Sequence, residues 1–155
     1  GVWLESGTFG AAVADSIGYH INIYDTTGTK LNTVANADIS NHNIHYDNDS
    51  KSLYFRNNDG NIERQNIITN ARTMLIEKSS VQNFDVTDDE SVVVYSILET
   101  DKGVIYKYVV ASDSQTQLTD DVLAGAYLSP LEDKLSYIYF VEVNQYGVKV
   151  IPFSK

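Results

Sequence analysis

Apolar and polar residues alternate in short runs along most of this chain. That is the period of a β-strand with one face turned inward and the other outward. The runs are separated by clusters of Asn, Asp, Ser, Thr and Gly, residues that favour tight turns. The pattern predicts many short strands and no helix. Pro130 and Pro152 fall in a turn and near a strand end, where proline is tolerated.

A repeat underlies the alternation. Asp47–Phe55, Thr87–Tyr95 and Ser129–Tyr137 each read as a polar turn followed by an alternating strand. Leu53, Val93 and Leu135 correspond, 40 and 42 residues apart, and Phe55, Tyr95 and Tyr137 follow in register. Ile62, Ile105 and Val148 each open a strand after a turn, at separations of 43 residues. Leu75 and Leu118 are again 43 apart. A period of about 42 residues fits a four-stranded propeller blade.

The unit reads strand by strand. Inner strands are expected at Ile39–Tyr46, Val81–Val86 and Leu123–Leu128. The second strands centre on Leu53, Val93 and Leu135. The third run Asn61–Ile67, Val104–Val110 and Val148–Phe153, and the fourth end near Leu75 and Leu118. The first 37 residues fit a shorter copy, with strands at Val2–Leu4, Phe9–Ala14, Tyr19–Tyr24 and Lys30–Val34. The expectation is an all-β chain of four antiparallel four-stranded blades, at about 1–37, 38–78, 79–120 and 121–155, the last one strand short.

Composition sharpens this. Eleven Tyr against one Trp and five Phe suit strands with a polar tip at the rim. The net charge of −10, with only three Arg, makes a poor match to nucleic acid or anionic lipid. The absence of cysteine excludes disulfides, thiolate zinc sites and thiol catalysis. No apolar stretch approaches the ~20 residues of a membrane span, and no basic region followed by an apolar core opens the chain. Gly1-Val2-Trp3 begins inside an expected strand, which reads as a mature form or an excised fragment.

The candidate chemistry is sparse. His42 and His45 are three apart on one expected strand, so they point to opposite faces and do not share a metal. His20 stands apart from both. No Gly-x-Ser-x-Gly elbow and no phosphate loop is present. Asp47-x-Asp49 begins like a calcium loop, but its sixth position is Ser52 rather than Gly and its twelfth is Asn58 rather than Glu. It reads as an Asx turn, as does Asp88-Asp89-Glu90 in the next repeat. No catalytic residue, cofactor or metal is expected.

The turns carry a resemblance. Ser129-Pro130 with Asp133-Lys134-Leu135 resembles the Ser-Pro-Asp-Gly-Lys-like turn of TolB-like, WD-repeat-like bacterial propeller repeats, with one residue inserted. Thr87–Ser91 and Asp47–Lys51 resemble it without the proline. The resemblance implies a non-catalytic module that binds a protein or small ligand, in an extracytoplasmic, periplasmic or secreted, bacterial protein. Its alternatives are the non-catalytic propeller of a larger peptidase and a sensor domain of a membrane signalling protein. Rings of that family usually have six to eight blades. The chain is therefore expected to continue through further blades, to pair as a homodimer, or to close through Val2–Leu4. Trp3, Asp38, Lys78, Asp120 and Asp121 lie on a terminal strand or at the links between repeats, and are the residues expected to meet a partner.

Overall fold

The computed structural model describes residues 2–5, 7–16, 18–38, 44–99, 102–142 and 145–155, and of 2–5 only the backbone. The chain divides into two compact units, Gly1–Ser79 and Ser80–Lys155. Every strand pairing is antiparallel, and the only helical turn among the described residues is a 3₁₀ turn at Val110–Ser112.

The first unit holds two four-stranded sheets. One runs β1 (Val2–Glu5), β2 (Thr8–Asp15), β3 (Gly18–Asp25), β4 (Lys30–Ala35). The other runs β5 (Ile44–Asp47), β6 (Ser52–Arg56), β7 (Ile62–Asn66), β8 (Arg72–Ile76). Val2–Glu5 pairs with β2, Trp3 opposite Phe9. Ile21, Ile23 and Val34 project from one face of the first sheet and pack with Leu53, Phe55 and Ile67 of the second. Alternation sends His20, Asn22 and Thr33 to the opposite face.

A charged clasp closes this unit. Glu63 is buried, pairs with Arg72 and accepts from the Asn57 amide at 2.5 Å. Arg72 also donates to the Ala35 carbonyl at 2.8 Å and lies 4.9 Å from the Phe55 ring centre. Burial pushes the Glu63 carboxyl up, but Arg72 and Asn57 outweigh it and hold it below its usual range.

The second unit is one six-stranded sheet, β9 (Val81–Val86), β10 (Val92–Glu99), β11 (Lys102–Val109), β12 (Ser114–Leu128), β13 (Lys134–Glu142), β14 (Gln145–Pro152). The strand expected to end near Leu118 and the inner strand expected at Leu123–Leu128 are a single β12. Its first half pairs with β11 as far as Gly103–Val122, and its second half pairs with β13 from Val122–Tyr139. Thr119-Asp120-Asp121-Val122 contains no Gly or Pro to interrupt the ladder. The chain instead turns through register shifts and at Gly125, whose φ is 88°. This half of β12 lies beside β9: Gly125 N and Leu128 N donate to the side chains of Asn83 and Asp85 at 3.3 and 2.9 Å.

The repeat is visible in hydrogen bonds. Thr87 N bonds Val92 O at 3.0 Å and Glu90 N bonds Thr87 O at 2.8 Å. Ser129 N bonds Lys134 O at 2.9 Å and Glu132 N bonds Ser129 O at 2.8 Å. Glu90 and Glu132 both take left-handed backbone, with φ of 54° and 52°. Leu53, Val93 and Leu135 are all fully buried, as their correspondence requires. Val92, Val94 and Ile105 form one core with Leu135 and Tyr137.

Candidate functional site

Each residue expected to meet a partner has a definite place. Asp38 follows β4 and pairs with Arg56, to which it is also tied by an Asp38 N to Arg56 O bond of 2.7 Å. Lys78 follows β8 and is exposed. Asp120 and Asp121 sit where β12 passes from one partner strand to the other. Asp120 pairs with Lys102. Asp121 accepts from Lys149 Nζ and the Tyr137 hydroxyl, both at 2.8 Å, and from Thr119. Lys149, then Thr119 and Tyr137, hold its carboxyl well below the usual range. Trp3 is placed by its backbone alone. The two acids are adjacent in sequence, yet each has its own lysine, so they form two ion pairs rather than one shared carboxylate site.

The histidines are separate. His45 lies on β5 with its ring edge-to-face to Tyr54 at 5.8 Å, and His42 lies outside the described residues. His20 is buried at the base of a recess of about 200 Å³ on the first sheet, lined also by Asp15, Tyr19, Asn22, Lys30 and Thr33. Its Nδ1 donates to the Gly18 carbonyl at 3.2 Å and its Nε2 stands 3.8 Å from Asp15. The Thr33 hydroxyl donates to Asn22 Oδ1 at 2.8 Å. This recess can hold a small polar group, but the hydroxyl on its wall is turned to an amide rather than to the imidazole. Among the described residues, no group of three or more His, Asp or Glu side chains is placed to hold a metal.

The acidic turns have structural work. Asp47 Oδ1 accepts from the backbone N–H of Asp49 at 2.6 Å and of Ser50 at 2.8 Å. Asp89 accepts from Ser91 and Thr87, which keep it well below the ordinary carboxylate range. Two tyrosines of the second strands are buried with anchored hydroxyls: Tyr95 donates to Gln115 at 2.7 Å and Tyr137 to Asp121. Burial, aided by nearby Tyr106 and Glu99, pushes Tyr95 up to about 12.

An apolar face on the second unit was not anticipated. Cross-strand pairs Ser136–Val150, Ile138–Val148 and Phe140–Tyr146 share one face of β13–β14. Ile138, Phe140, Tyr146, Val148 and Val150 are exposed there, and Tyr127, paired with Ser136, adds a sixth large side chain. The sequence held a signal for it, since Val148 repeats the position of the apolar Ile62 and Ile105.

No family profile and no curated protein matches the chain. Solved structures do. TolB from Acinetobacter baumannii is similar at 18% identity and a TM-score of 0.74, over 95% of this chain and 38% of that one. An acylaminoacyl peptidase from Pyrococcus horikoshii is similar at 10% identity and a TM-score of 0.67, over 96% of this chain and 29% of that one. The β-propeller domain of the trilobed protease from Pyrococcus furiosus is similar at 12% identity and a TM-score of 0.62, over 96% and 51%. The chain thus spans well under two thirds of each. The fold is that of β-propeller blades of the TolB type, built as antiparallel sheets.

Proposed function

We propose that this chain is a non-catalytic propeller module that binds a protein or small ligand as part of an extracytoplasmic bacterial protein. One observation carries the reading. Asp89, Glu63 and Asp121 are engaged in a turn, an ion pair and a packed tyrosine, while the outward surface of β13–β14 is aromatic and aliphatic. Such a surface recognises a partner and does not transform one. Trp3, Asp38, Lys78, Asp120 and Asp121 remain candidate contacts on this reading, Asp120 and Asp121 with lysines already beside them.

The likeness to propeller domains of peptidases favours a second reading, in which the module covers the active site of a hydrolase carried elsewhere. Two measurements test the choice. Labelling of the purified chain with a fluorophosphonate probe, beside a panel of ester and peptide substrates, should show no modification and no turnover; turnover that survives repurification would sink the non-catalytic reading. A hydrolase domain in the full reading frame would select the second. Fractionation of the source cells tests the compartment, with recovery in the cytosol counting against it.

A further inference from the structure

β3 turns Ile21 and Ile23 to the core, yet its other face is closed off as well. His20 and Asn22 are only 7% and 8% exposed there. Burying such groups is costly unless each polar atom finds a partner. Both are satisfied on one side alone. His20 Nδ1 donates to the Gly18 carbonyl at 3.2 Å, and in that tautomer Nε2 is an acceptor. Asp15, 3.8 Å from Nε2, is beyond hydrogen-bond distance. Asn22 Oδ1 accepts from the Thr33 hydroxyl at 2.8 Å. That bond fixes the amide and leaves Nδ2 with no acceptor among the described residues. Asn36 repeats the arrangement, its Oδ1 accepting from Asn58 Nδ2 at 2.9 Å and its own Nδ2 donating to none of the described residues. His20, Asn22 and Asn36 all line the recess of about 200 Å³. A fold gains no stability from buried donors and acceptors left without partners, so these atoms point to a ligand.

We propose that this recess binds one neutral sugar ring, free or at the end of a glycan chain. A hydroxyl both donates and accepts, so neighbouring hydroxyls satisfy the wall together: one donates to His20 Nε2 and another accepts from Asn22 Nδ2. Tyr19, 51% exposed on the same recess, offers a flat apolar ring to the C–H face of the sugar. Charge decides the ligand class. Asp15 and Lys30 bring one charge of each sign to the lining. The Asp15 side chain is 42% exposed and Lys30 is exposed, so both charges stay hydrated while the buried groups are neutral. An anion would meet Asp15 and a cation Lys30. Size agrees, since 200 Å³ equals the share of about seven waters at ~30 Å³ each, room for a single ring. Asp15 is the only carboxylate among the described lining residues, so the pair that glycoside hydrolysis requires is not assembled there.

This inference rests on the binding-module reading and names a ligand class for one site. The 155-residue chain is titrated with methyl glycosides of neutral hexoses, and separately with glycine as a zwitterion, while its amide NMR spectrum is followed. At least one glycoside should saturate the chain at about millimolar concentration, the strength of a small ligand in an open recess. The side-chain amides of Asn22 and Asn36 should shift, and β9–β14 should not. Tyr19→Ala, at an exposed position, should weaken binding about tenfold or more. Asn22→Asp keeps the shape and the bond from Thr33 but removes the Nδ2 donor, and should weaken it about as much. Leu131→Ala, exposed and outside the recess, should leave binding unchanged. A disaccharide ending in the same sugar supports a glycan end if it binds more tightly than the methyl glycoside, and a free sugar if it binds more weakly. Saturation by no glycoside, saturation by glycine instead, or glycoside binding that survives both Tyr19→Ala and Asn22→Asp would overturn the proposal. Each of those results leaves the module reading standing with another partner, whereas release of sugar from a glycoside would overturn the non-catalytic reading and leave the binding site in place.

Discussion

The Tyr137 hydroxyl donates to Oδ1 of Asp121 at 2.8 Å, joining the buried aromatic of one strand to the bend of another. The bond closes the stretch where β12 changes partners, and Lys149 completes it from β14, its ammonium 5.9 Å from the Tyr137 ring centre. Asp121 therefore has a structural task whatever it contacts outside the chain. Tyr137→Phe keeps the packing and removes the bond, and should cost about 0.5–1.5 kcal/mol in denaturant unfolding. A loss of zero would mean that water replaces the hydroxyl without penalty.

Leu135 tests the core of the second unit. It is fully buried among Val92, Val94, Ile105 and Phe153. Leu135→Ala should cost about 2–5 kcal/mol through lost burial and the cavity left behind. Val93→Ala, at the equivalent position one repeat earlier, should cost about 1–3 kcal/mol, being smaller. A change of only a few tenths at either site, read from urea midpoints at constant slope, would contradict the repeat register.

Gly103 tests the strand that crosses between partners. A Cβ there would lie 2.2 Å from the carbonyl oxygen of Val122, a backbone atom that cannot move without opening the Gly103–Val122 pair. Gly103→Ala should therefore destabilise by about 1–3 kcal/mol, although alanine normally suits a strand better than glycine. Hydrogen exchange should accelerate at the β11–β12 junction in that variant. Equal exchange would show that the two strands have room to part.

Glu63 sets an acid limit on the first unit. Its folded pKa lies below the ordinary value, so the ionised form stabilises the fold fully above the unfolded pKa of about 4.3. That contribution is lost as pH falls through the lower folded value. Glu63→Gln should flatten this part of the pH–stability curve and cost about 1–3 kcal/mol at neutral pH by leaving Arg72 without its charge partner. Urea titrations across the acid range read both effects, and an unchanged acid slope would remove Glu63 as its cause.

Asp47 has an assigned role in its turn, accepting two backbone N–H bonds. Added calcium should leave the melting temperature unchanged, since the loop lacks the glycine and terminal carboxylate of an EF-hand. A rise of several degrees would reveal a site these hydrogen bonds conceal.

By itself the sequence determined the all-β class, the repeat of polar turn and alternating strand, and the buried markers Leu53, Val93 and Leu135. Alternation decides which side of a strand is apolar, and a spacing of about 42 residues decides which positions are equivalent, both without tertiary information. Val81–Val86 was legible to the residue, and Leu53, Val93 and Leu135 were legible as core. Three things needed the tertiary structure. Thr119–Val122 carries strand-compatible residues whether it links two sheets or runs through both, and only the neighbours β11 and β13 make it one strand. Asp120 and Asp121 are expected to meet a partner, and sequence adjacency cannot show that one faces Lys102 and the other Lys149. Val148 shares the repeat position of the buried Ile62 and Ile105, and it is open because burial depends on whether another sheet lies over the face, a property of neighbours that local alternation does not encode.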